Sequence, residues 1–243
     1  ERAEGGGFWV PGRRLVQELS PFPPFESPFN EDLILMLSDE GEILAQYPVP
    51  KLLYDNGLEA VLTATGSRFK AGMSWDHEIV HLNKIEELSS DLAPDFPSFA
   101  AGDLVLSLRD QNMLLVVDRE VAKVKWWKIG PWRRQHDPEF RRGGTITLFN
   151  NNIYETVFGT TNDVSPIDAP RESNVVDVNP STGEYRVLYG GKGQELLPVI
   201  RGKVDVTPGN RLLITEFEGG RALEVSTDGT VVWEYVNRYG SDE

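Results

Sequence analysis

The sequence contains no cysteine and only three histidines among its 243 residues. The absence of cysteine excludes disulfide bonds, thiolate metal sites and a thiol nucleophile, and it suits an oxidising and a reducing compartment equally well. No apolar run reaches the roughly 18 residues that a membrane-spanning helix requires. A formal charge of −14 argues against general affinity for nucleic acid or anionic lipid, because an acidic surface repels both.

The N-terminal segment is rich in glycine and proline, as in GGG (5–7) and PFPPFESPF (21–29). These residues disfavour helix and are typical of chain that runs extended across a surface or an edge. We therefore expect residues 1–30 to form an extended strap and residues 31–243 to form the folded domain.

Four later segments share one pattern, in which an alternating apolar run, a polar turn and a second run ending in an aromatic residue follow one another. They are LILMLSDEGEILAQY (33–47), LLVVDREVAKVKWWKI (114–129), NVVDVNPSTGEYRVLY (174–189) and ALEVSTDGTVVWEYV (222–236). Each predicts a β-hairpin. Further strands are predicted at GDLVLSLRD (102–110), GTITLFNNN (144–152) and NRLLITEFE (210–218).

The turn glycines Gly183 and Gly229 are 229 − 183 = 46 residues apart, which lies within the period of roughly 40 to 50 residues typical of propeller blades. A chain of this length would hold about five or six such blades. The pattern therefore predicts an all-β fold, a single β-propeller of four-stranded blades.

One segment, WDHEIVHLNKIEELSSDL (75–92), has apolar residues at nearly helical spacing. It predicts a helix, although a strand followed by a turn fits almost as well. It also contains His77-Glu78-Ile79-Val80-His81, which matches the H-E-x-x-H motif of zinc peptidases. Because no third histidine follows in the elongated form of the motif and the surrounding chain is rich in strands, we predict neither bound metal nor peptidase activity.

The run KWWKIGPWRRQHDPEFRRGG (125–144) is basic and aromatic within an acidic chain. A purely structural explanation is that the tryptophans cover the ends of blades, the arginines pair with acidic groups and the histidine has its hydrogen bonds made within the fold. A neutral imidazole is also a competent nucleophile toward sulfur or phosphorus, so His136 is a candidate for one. Arg109, which ends the apolar strand LVLSLRD, is either an ion-pair partner of Asp110 or Asp118 or a fork for a tetrahedral oxyanion.

Several segments together resemble the bacterial arylsulfotransferase family, from about Trp75 onward. They are HLNKIEEL (81–88), FPSFAAGDLVLSLRDQN (96–112), VDREVAKVKWWKIGPWRRQHDPEF (117–140), GGTITLFNNN (143–152) and GNRLLITEFEGGRALEVSTDGTVVWEY (209–235). The resemblance implies a six-bladed β-propeller that moves a sulfuryl group from an aryl sulfate to a phenol, with no cofactor. Members of the family are typically exported, which implies a periplasmic or extracellular location. The start at Glu1 rather than methionine predicts a processed or truncated N-terminus.

The resemblance also implies roles for individual residues. His136 matches the histidine that takes the sulfuryl group covalently, His81 matches a second active-site histidine, and Arg109 matches the arginine that holds the sulfate. The substrate-binding residues implied are Asn83, Trp127, Trp132 and Arg134. No metal ligand is implied.

The sequence also departs from the family, because the segment before Trp75 lacks the further histidine that larger members carry. A fold can persist after its chemistry is lost. The alternative is therefore a non-catalytic propeller that serves as a binding or assembly subunit of a larger complex, for which membrane association is one option. Its protein partner would contact the strap and the long loops at 91–102 and 161–173.

Overall fold

The protein is described by a computed structural model that covers residues 1–18, 27–63, 79–118, 120, 123–152, 173–191, 193–196, 202–217 and 219–237. Within these residues, 15 strands form four antiparallel sheets, so the chain is predominantly β. The chain divides into two compact units, residues 1–130 with 142–144 and residues 131–141 with 145–243. Among the described residues, no helix has the length and apolar character needed to cross a membrane.

The first unit begins with a three-stranded sheet in sequential order, followed by two short helices. Its elements are β1 (Phe8–Val16), β2 (Phe29–Leu37), β3 (Ile43–Pro48), α1 (Val49–Asp55) and α2 (Glu59–Thr63). Helix α1 has proline in its first turn, where the missing backbone N–H does no harm. It buries Val49, Leu52 and Leu53 in the apolar core of this unit.

The second sheet of this unit is a four-stranded meander, with a 3₁₀ turn at Ala93–Asp95 between its first two strands. The strands are β4 (Leu82–Glu87), β5 (Leu104–Leu108), β6 (Met113–Val117) and β7 (Val124–Ile129). Strands β5 and β6 are buried at every residue and read as uninterrupted apolar runs. Strand β7 forms one edge of the sheet and alternates between half-buried and exposed residues, as expected for a strand covered on one face.

The second unit contains two further four-stranded meanders. The first has β8 (His136–Arg141), β9 (Thr145–Asn150), β10 (Asn174–Val178) and β11 (Tyr185–Gly190), and the second has β12 (Lys203–Val206), β13 (Leu212–Glu216), β14 (Arg221–Val225) and β15 (Val231–Val236). A common apolar cluster joins them, with Phe149 and Val175 from one sheet and Val204, Ile214 and Leu223 from the other. Because strands from both sheets share this core, the two meanders form one folding unit.

The four predicted hairpins are confirmed as the pairs β2–β3, β6–β7, β10–β11 and β14–β15. Each pair is the last two strands of its sheet. The turn side chains satisfy the turn backbone: Ser38 Oγ accepts from Glu40 N at 3.1 Å, and Asn179 Oδ1 accepts from Ser181 N at 2.9 Å. Gly183 has φ of 73°, a conformation that favours glycine. Polar turn residues followed by glycine thus mark three of the four hairpins for a physical reason, whereas the sequence between β6 and β7 contains no glycine.

The described residues do not form the extended strap that the sequence predicts for residues 1–30. Phe8–Val16 instead form β1, which pairs with β2 over its full length. Pro11 is tolerated there because β1 is an edge strand. A Cβ on Gly12 would lie 2.4 Å from Leu35 Cδ1, so a larger residue here would displace the Leu35 side chain. Residues 19–26, which hold most of the proline-rich run, lie outside the described residues, so the edge strand corrects the predicted strap over Phe8–Val16.

In the described part of 75–92 the predicted helix is wrong and the alternative, a strand followed by a turn, is confirmed, because Leu82–Glu87 forms β4 and a turn follows at 90–92. The register of β4 against β5 shifts between Leu82 and Lys84, which inserts Asn83 as a bulge. A bulge moves the following residues to the opposite face, so Leu82 and Ile85 are both buried. Apolar residues three apart, the spacing of a helix, thus arise here from a bulged strand.

Candidate functional site

His81 and Arg109 lie together at one end of the β4–β5 pair. His81 immediately precedes β4 and Arg109 immediately follows β5, and the antiparallel register pairs Leu82 with Leu108. The Arg109 backbone N donates to the His81 carbonyl oxygen at 3.1 Å. The structure therefore brings two of the three predicted catalytic residues into neighbouring positions.

The backbone of His81 is held in an uncommon conformation by a buried carboxylate. Its φ is 52°, in the left-handed region that few non-glycine residues adopt. Its N–H donates to Asp32 Oδ2 at 3.0 Å, and Asp32, on β2, is 1% exposed. Arg13 Nη2 lies 3.4 Å from Asp32 Oδ1 and balances the buried charge. Such strained conformations persist where the surrounding structure enforces them, and they cluster at functional sites.

The Arg109 side chain makes the ion pair that its sequence position suggested. Nε and Nη2 both approach Asp110 Oδ1, at 3.3 and 3.2 Å. The Asp110 side chain is 2% exposed and holds the ion pair in the interior, whereas the Arg109 side chain is 31% exposed and reaches the surface. A guanidinium carries five N–H donors, and one carboxylate oxygen engages only one edge of it. The remaining edge has the geometry to receive a pair of anionic oxygens.

Two predicted substrate-binding residues also lie in the first unit. Asn83 is the bulge residue of β4, two residues from His81. Trp127 is 46% exposed and lies on β7, which β5 and β6 separate from β4. Three strand spacings correspond to roughly 14 Å between β4 and β7. The structure therefore places Asn83 beside His81 and keeps Trp127 on the opposite edge of the sheet.

His136 belongs to the second unit, where it is the first residue of β8. Its Nδ1 lies 3.0 Å from the carbonyl oxygen of Arg134 and 2.7 Å from Oδ1 of Asn151. A backbone carbonyl can only accept a hydrogen bond, so Nδ1 must carry the proton. In the neutral ring the lone pair then resides on Nε2. The surroundings of His136 therefore select the tautomer in which Nε2 is the nucleophilic nitrogen.

The loop that leads into His136 is tied to the end of β9 by asparagine side chains. Asn150 Oδ1 accepts from Arg133 N at 2.8 Å and from Asn152 N at 3.1 Å. Arg133 Nη2 in turn donates to Asn152 Oδ1. Arg134, one of the predicted substrate-binding residues, has φ of 52° in this loop. The conformation before His136 is thus fixed by specific hydrogen bonds.

Trp132 lies in the same loop but faces the interior of the second unit. It is 1% exposed, and its ring centroid lies 6.5 Å from that of Tyr185 at an interplanar angle of 35°. Burial raises the pKa of the Tyr185 hydroxyl, an effect that the Arg133 charge partly offsets. Trp132 Nε1 is buried and has no hydrogen-bond partner within the described part of the chain. In this structure Trp132 contributes to the packing beneath the loop.

Asp137, directly after His136, connects β8 to the neighbouring sheet. It has φ of 55° and is 8% exposed, and its Oδ2 accepts from Val204 N at 3.0 Å. The register between β8 and β9 shifts between His136 and Glu139, which places Asp137 in a bulge. Bulges re-aim side chains at strand ends. Asp137 therefore anchors the strand that begins at His136.

Within the described ranges, one group of side chains could contact a common cation, namely the carboxylates of Asp137, Glu139 and Asp205. Lys203 lies 3.8 Å from Asp137 and also pairs with Asp205, so a cationic side chain already serves this cluster. A cavity of about 310 Å³ lies in the first unit beside Trp9 and Tyr47 and is lined by none of the predicted site residues. Neither feature adds to the predicted site.

Sequence reasoning missed Asp32 and Asn151, the residues that hold His81 and His136. For Asn151 a signal existed, because three consecutive asparagines end a strand in FNNN (149–152). Asparagine disfavours strands, and its amide can donate and accept together. For Asp32 the only signal in the sequence is a carboxylate beside an apolar run. That signal does not show which backbone N–H will donate a hydrogen bond to it.

The sequence profile of the arylsulfotransferase (ASST) family matches residues 2–238. Among solved structures, a protein of unknown function from Bacteroides caccae is 14% identical, with a TM-score of 0.44, and the match covers 93% of this chain and 58% of that one. Virginiamycin B lyase from Staphylococcus aureus is 11% identical, with a TM-score of 0.46, and the match covers 96% of this chain and 61% of that one.

The chain thus spans about three fifths of the length of these two structures, at 58% and 61%. No curated protein matches its sequence. The profile match extends over both units described above, from residue 2 to residue 238. The protein therefore belongs to the arylsulfotransferase family.

Proposed function

We propose that this protein moves a sulfuryl group from a phenolic sulfate ester to a phenol, with His136 as the covalent carrier. Membership of the arylsulfotransferase family supports the reaction class. The observation that supports the carrier is the Arg134 carbonyl oxygen 3.0 Å from His136 Nδ1. With the proton held on Nδ1, the nitrogen with an available lone pair is Nε2, which is what a nucleophile requires.

The proposed reaction has two balanced half-reactions. In the first, Nε2 of His136 forms a bond to sulfur while the ester S–O bond breaks, and the phenolate leaves and takes up a proton. In the second, a phenol loses its proton and its oxygen bonds to sulfur, and the N–S electron pair returns to Nε2. No nucleotide, metal or electron transfer is needed, and ping-pong kinetics follow from the covalent intermediate.

Arg109 and His81 have complementary roles in this proposal. The transferring group keeps negative charge on its nonbridging oxygens, which a guanidinium edge stabilises directly. Asp110 fixes the other edge of Arg109 through its Oδ1 at 3.2 Å. His81, whose carbonyl oxygen accepts from Arg109 N, would protonate the departing phenolate and deprotonate the acceptor. Asn83 and Arg134 remain proposed contributors to substrate binding. The implied roles of Trp127 and Trp132 are less well supported, because Trp127 lies on the opposite edge of the sheet from His81 and Trp132 is 1% exposed.

We also propose that the four sheets are successive blades of a β-propeller. Their strands are sequential and antiparallel, and the equivalent hairpin is the last pair of each sheet. Three of the sheets are four-stranded meanders, the construction of propeller blades, and the first has three strands within the described residues. A periplasmic or extracellular location is proposed from the family alone.

A chromogenic aryl sulfate with a phenol acceptor tests the function. We expect wild-type protein to release the chromogenic phenol and to form the second sulfate ester, whereas His136→Ala should abolish both because no intermediate can form. His77→Ala is the matched control. It should keep full activity, since only the zinc-peptidase motif requires His77. Loss of activity in His77→Ala together with one bound zinc would overturn the proposal in favour of a metallohydrolase.

Mass spectrometry after rapid alkaline quench identifies the carrier. A sulfuryl adduct adds about 80 Da to the peptide that carries its nucleophile. We expect this adduct on the His136 peptide after exposure to an aryl sulfate without acceptor, and its disappearance when phenol is added. An adduct on another peptide would refute the role of His136 while leaving the transferase function intact.

A second candidate is a non-catalytic assembly subunit, which one observation favours. All six residues of β15 are exposed, and five of them are apolar or aromatic (Val231, Val232, Trp233, Tyr235 and Val236). An exposed apolar edge strand is a typical site for pairing with another chain. Absence of both turnover and adduct with several aryl sulfates, combined with a stable complex lost on Trp233→Lys, would establish this alternative.

A further inference from the structure

Asn151 contacts the proposed nucleophile at the nitrogen that does not react. Its Oδ1 lies 2.7 Å from Nδ1 of His136, closer than the Arg134 carbonyl oxygen at 3.0 Å. Since Nδ1 carries the proton, the amide oxygen of Asn151 accepts it. The two oxygens share one N–H, and the side chain supplies the shorter contact.

Asn151 is itself held rigidly. It is 1% exposed, and its backbone carbonyl accepts from Ser173 Oγ, which is buried, at 3.1 Å. The preceding residue, Asn150, donates through Nδ2 to Asn174 Oδ1 at 3.0 Å, which ties the end of β9 to the start of β10. A buried acceptor with a fixed backbone can hold an imidazole ring in one orientation. Asn151 therefore has the burial and support that a positioning residue requires.

The nearest acidic residue along the chain is committed elsewhere. Asp137 Oδ2 accepts from Val204 N at 3.0 Å and lies 3.8 Å from Lys203 Nζ. Two oxygens lie within hydrogen-bond distance of Nδ1 of His136 among the described contacts, an amide oxygen and a backbone carbonyl oxygen, and both are uncharged. A neutral acceptor on Nδ1 differs from a carboxylate, because a carboxylate stabilises a protonated or otherwise cationic imidazole ring far more strongly.

On the basis of the proposed function, we propose that Asn151 is the positioning residue of His136 and that its neutrality balances the two half-reactions. It holds the proton on Nδ1 and turns Nε2 toward the sulfuryl group. When Nε2 bonds to sulfur, the ring becomes an N-sulfonated imidazolium, and the Nδ1–H bond to Asn151 strengthens. Because the acceptor is uncharged, the imidazolium is stabilised enough to form but is still a good leaving group when the phenol attacks.

Two substitutions separate these functions. Asn151→Leu removes the acceptor in a similar volume, and we expect the first half-reaction to slow by about 10-fold, the effect of losing one buried hydrogen bond. Asn151→Asp keeps the acceptor and adds a charge. We expect the adduct in this variant to form but to persist, so that phenol-dependent turnover falls by about 10-fold or more while the adduct accumulates.

The hydrogen bond between His136 and Asn151 can be tested without substrate by ¹⁵N NMR of the imidazole groups. The chain has three histidines, and the signal that disappears in His136→Gln is that of His136. In the wild type we expect the Nδ1–H tautomer for His136. Asn151→Asp should move its protonation midpoint to higher pH, because a carboxylate favours the imidazolium. The matched control is Asn179→Asp, which adds the same charge in a turn of the same unit, where Asn179 Oδ1 accepts from Ser181 N and Thr182 N.

The outcomes distinguish the positioning role from the function on which it rests. An Nε2–H tautomer in the wild type, or equal midpoint shifts in Asn151→Asp and Asn179→Asp, would overturn the role of Asn151. An altered tautomer or midpoint confined to the Asn151 variants supports it. If the wild type neither turned over an aryl sulfate nor formed an adduct, the proposed function would fail, and with it the balancing role of Asn151, whatever the NMR result.

Discussion

Replacing Asp32 by alanine should destabilise the first unit and disorder the backbone at His81. The Asp32 carboxylate is 1% exposed and accepts the His81 N–H at 3.0 Å. A hydrogen bond to a buried charged group contributes about 1.5–3 kcal/mol. The ion pair with Arg13, whose side chain is 39% exposed, adds at most about 1 kcal/mol because solvent screens it.

Together these terms give a loss of about 2–4 kcal/mol in the free energy of unfolding. With a denaturant slope of about 2 kcal/mol per molar urea, the unfolding midpoint should fall by about 1–2 M. The control is Asp39→Ala, since Asp39 also accepts a backbone N–H, that of Gly7 at 3.2 Å, but its side chain is 54% exposed. That variant should lose less than about 1 kcal/mol.

The assay is urea unfolding followed by tryptophan fluorescence, with Asp32→Asn as a third variant. The amide keeps an acceptor for His81 N and removes only the charge, so its loss should lie between those of the two alanine variants. If Asp32→Ala and Asp39→Ala lowered the midpoint equally, the reasoning that ties the His81 conformation to Asp32 would be refuted.

Three further predictions follow from contacts in both units. Arg109→Lys keeps the charge and loses the planar fork, so we expect kcat to fall by about 100-fold; an unchanged kcat would exclude Arg109 from sulfate binding. Arg141→Leu should lower the free energy of unfolding in urea by about 3–5 kcal/mol, because Arg141 and its partner Asp177 are both buried. Arg186 pairs with the same carboxylate, but its side chain is 59% exposed, so Arg186→Leu should cost about 1 kcal/mol or less. Burial raises the pKa of Tyr185 in the folded state. The stability that the protonated hydroxyl contributes is therefore present below pH of about 10 and is lost as pH rises through the pKa of the folded state. Between pH 9 and 11 the urea midpoint should fall more in the wild type than in Tyr185→Phe, and equal falls would contradict this.

The hairpins were predictable because their signals are local. A turn such as Ser226-Thr227-Asp228-Gly229 is stabilised by its own residues: Asp228 Oδ1 accepts from Thr230 N at 3.1 Å, and Gly229 has φ of 83°. Alternating runs on either side then pair by register. The interactions that decide these elements all lie within one hairpin, whose paired residues are at most 16 positions apart, as Asn174 and Gly190 are.

The parts that were missed depend on contacts distant in sequence. Strand β1 exists because it pairs with β2, and neither its proline nor its glycine signals that pairing. Strand β4 has helix-like spacing because of a bulge at Asn83, and a bulge is defined only by the partner strand. The residues Asp32 and His81 are 49 positions apart. Such pairings are set by tertiary packing, which outweighs local propensity.

The described contacts act on different parts of the two histidines of the proposed mechanism. A nucleophile must present one nitrogen in one tautomer, and His136 is held at its ring, where Nδ1 meets the oxygens of Asn151 and Arg134. Asp32 accepts a hydrogen bond from the backbone N–H of His81. These contacts therefore fix a ring tautomer at His136 and a backbone conformation at His81, which is why Asn151 and Asp32 variants should have different effects.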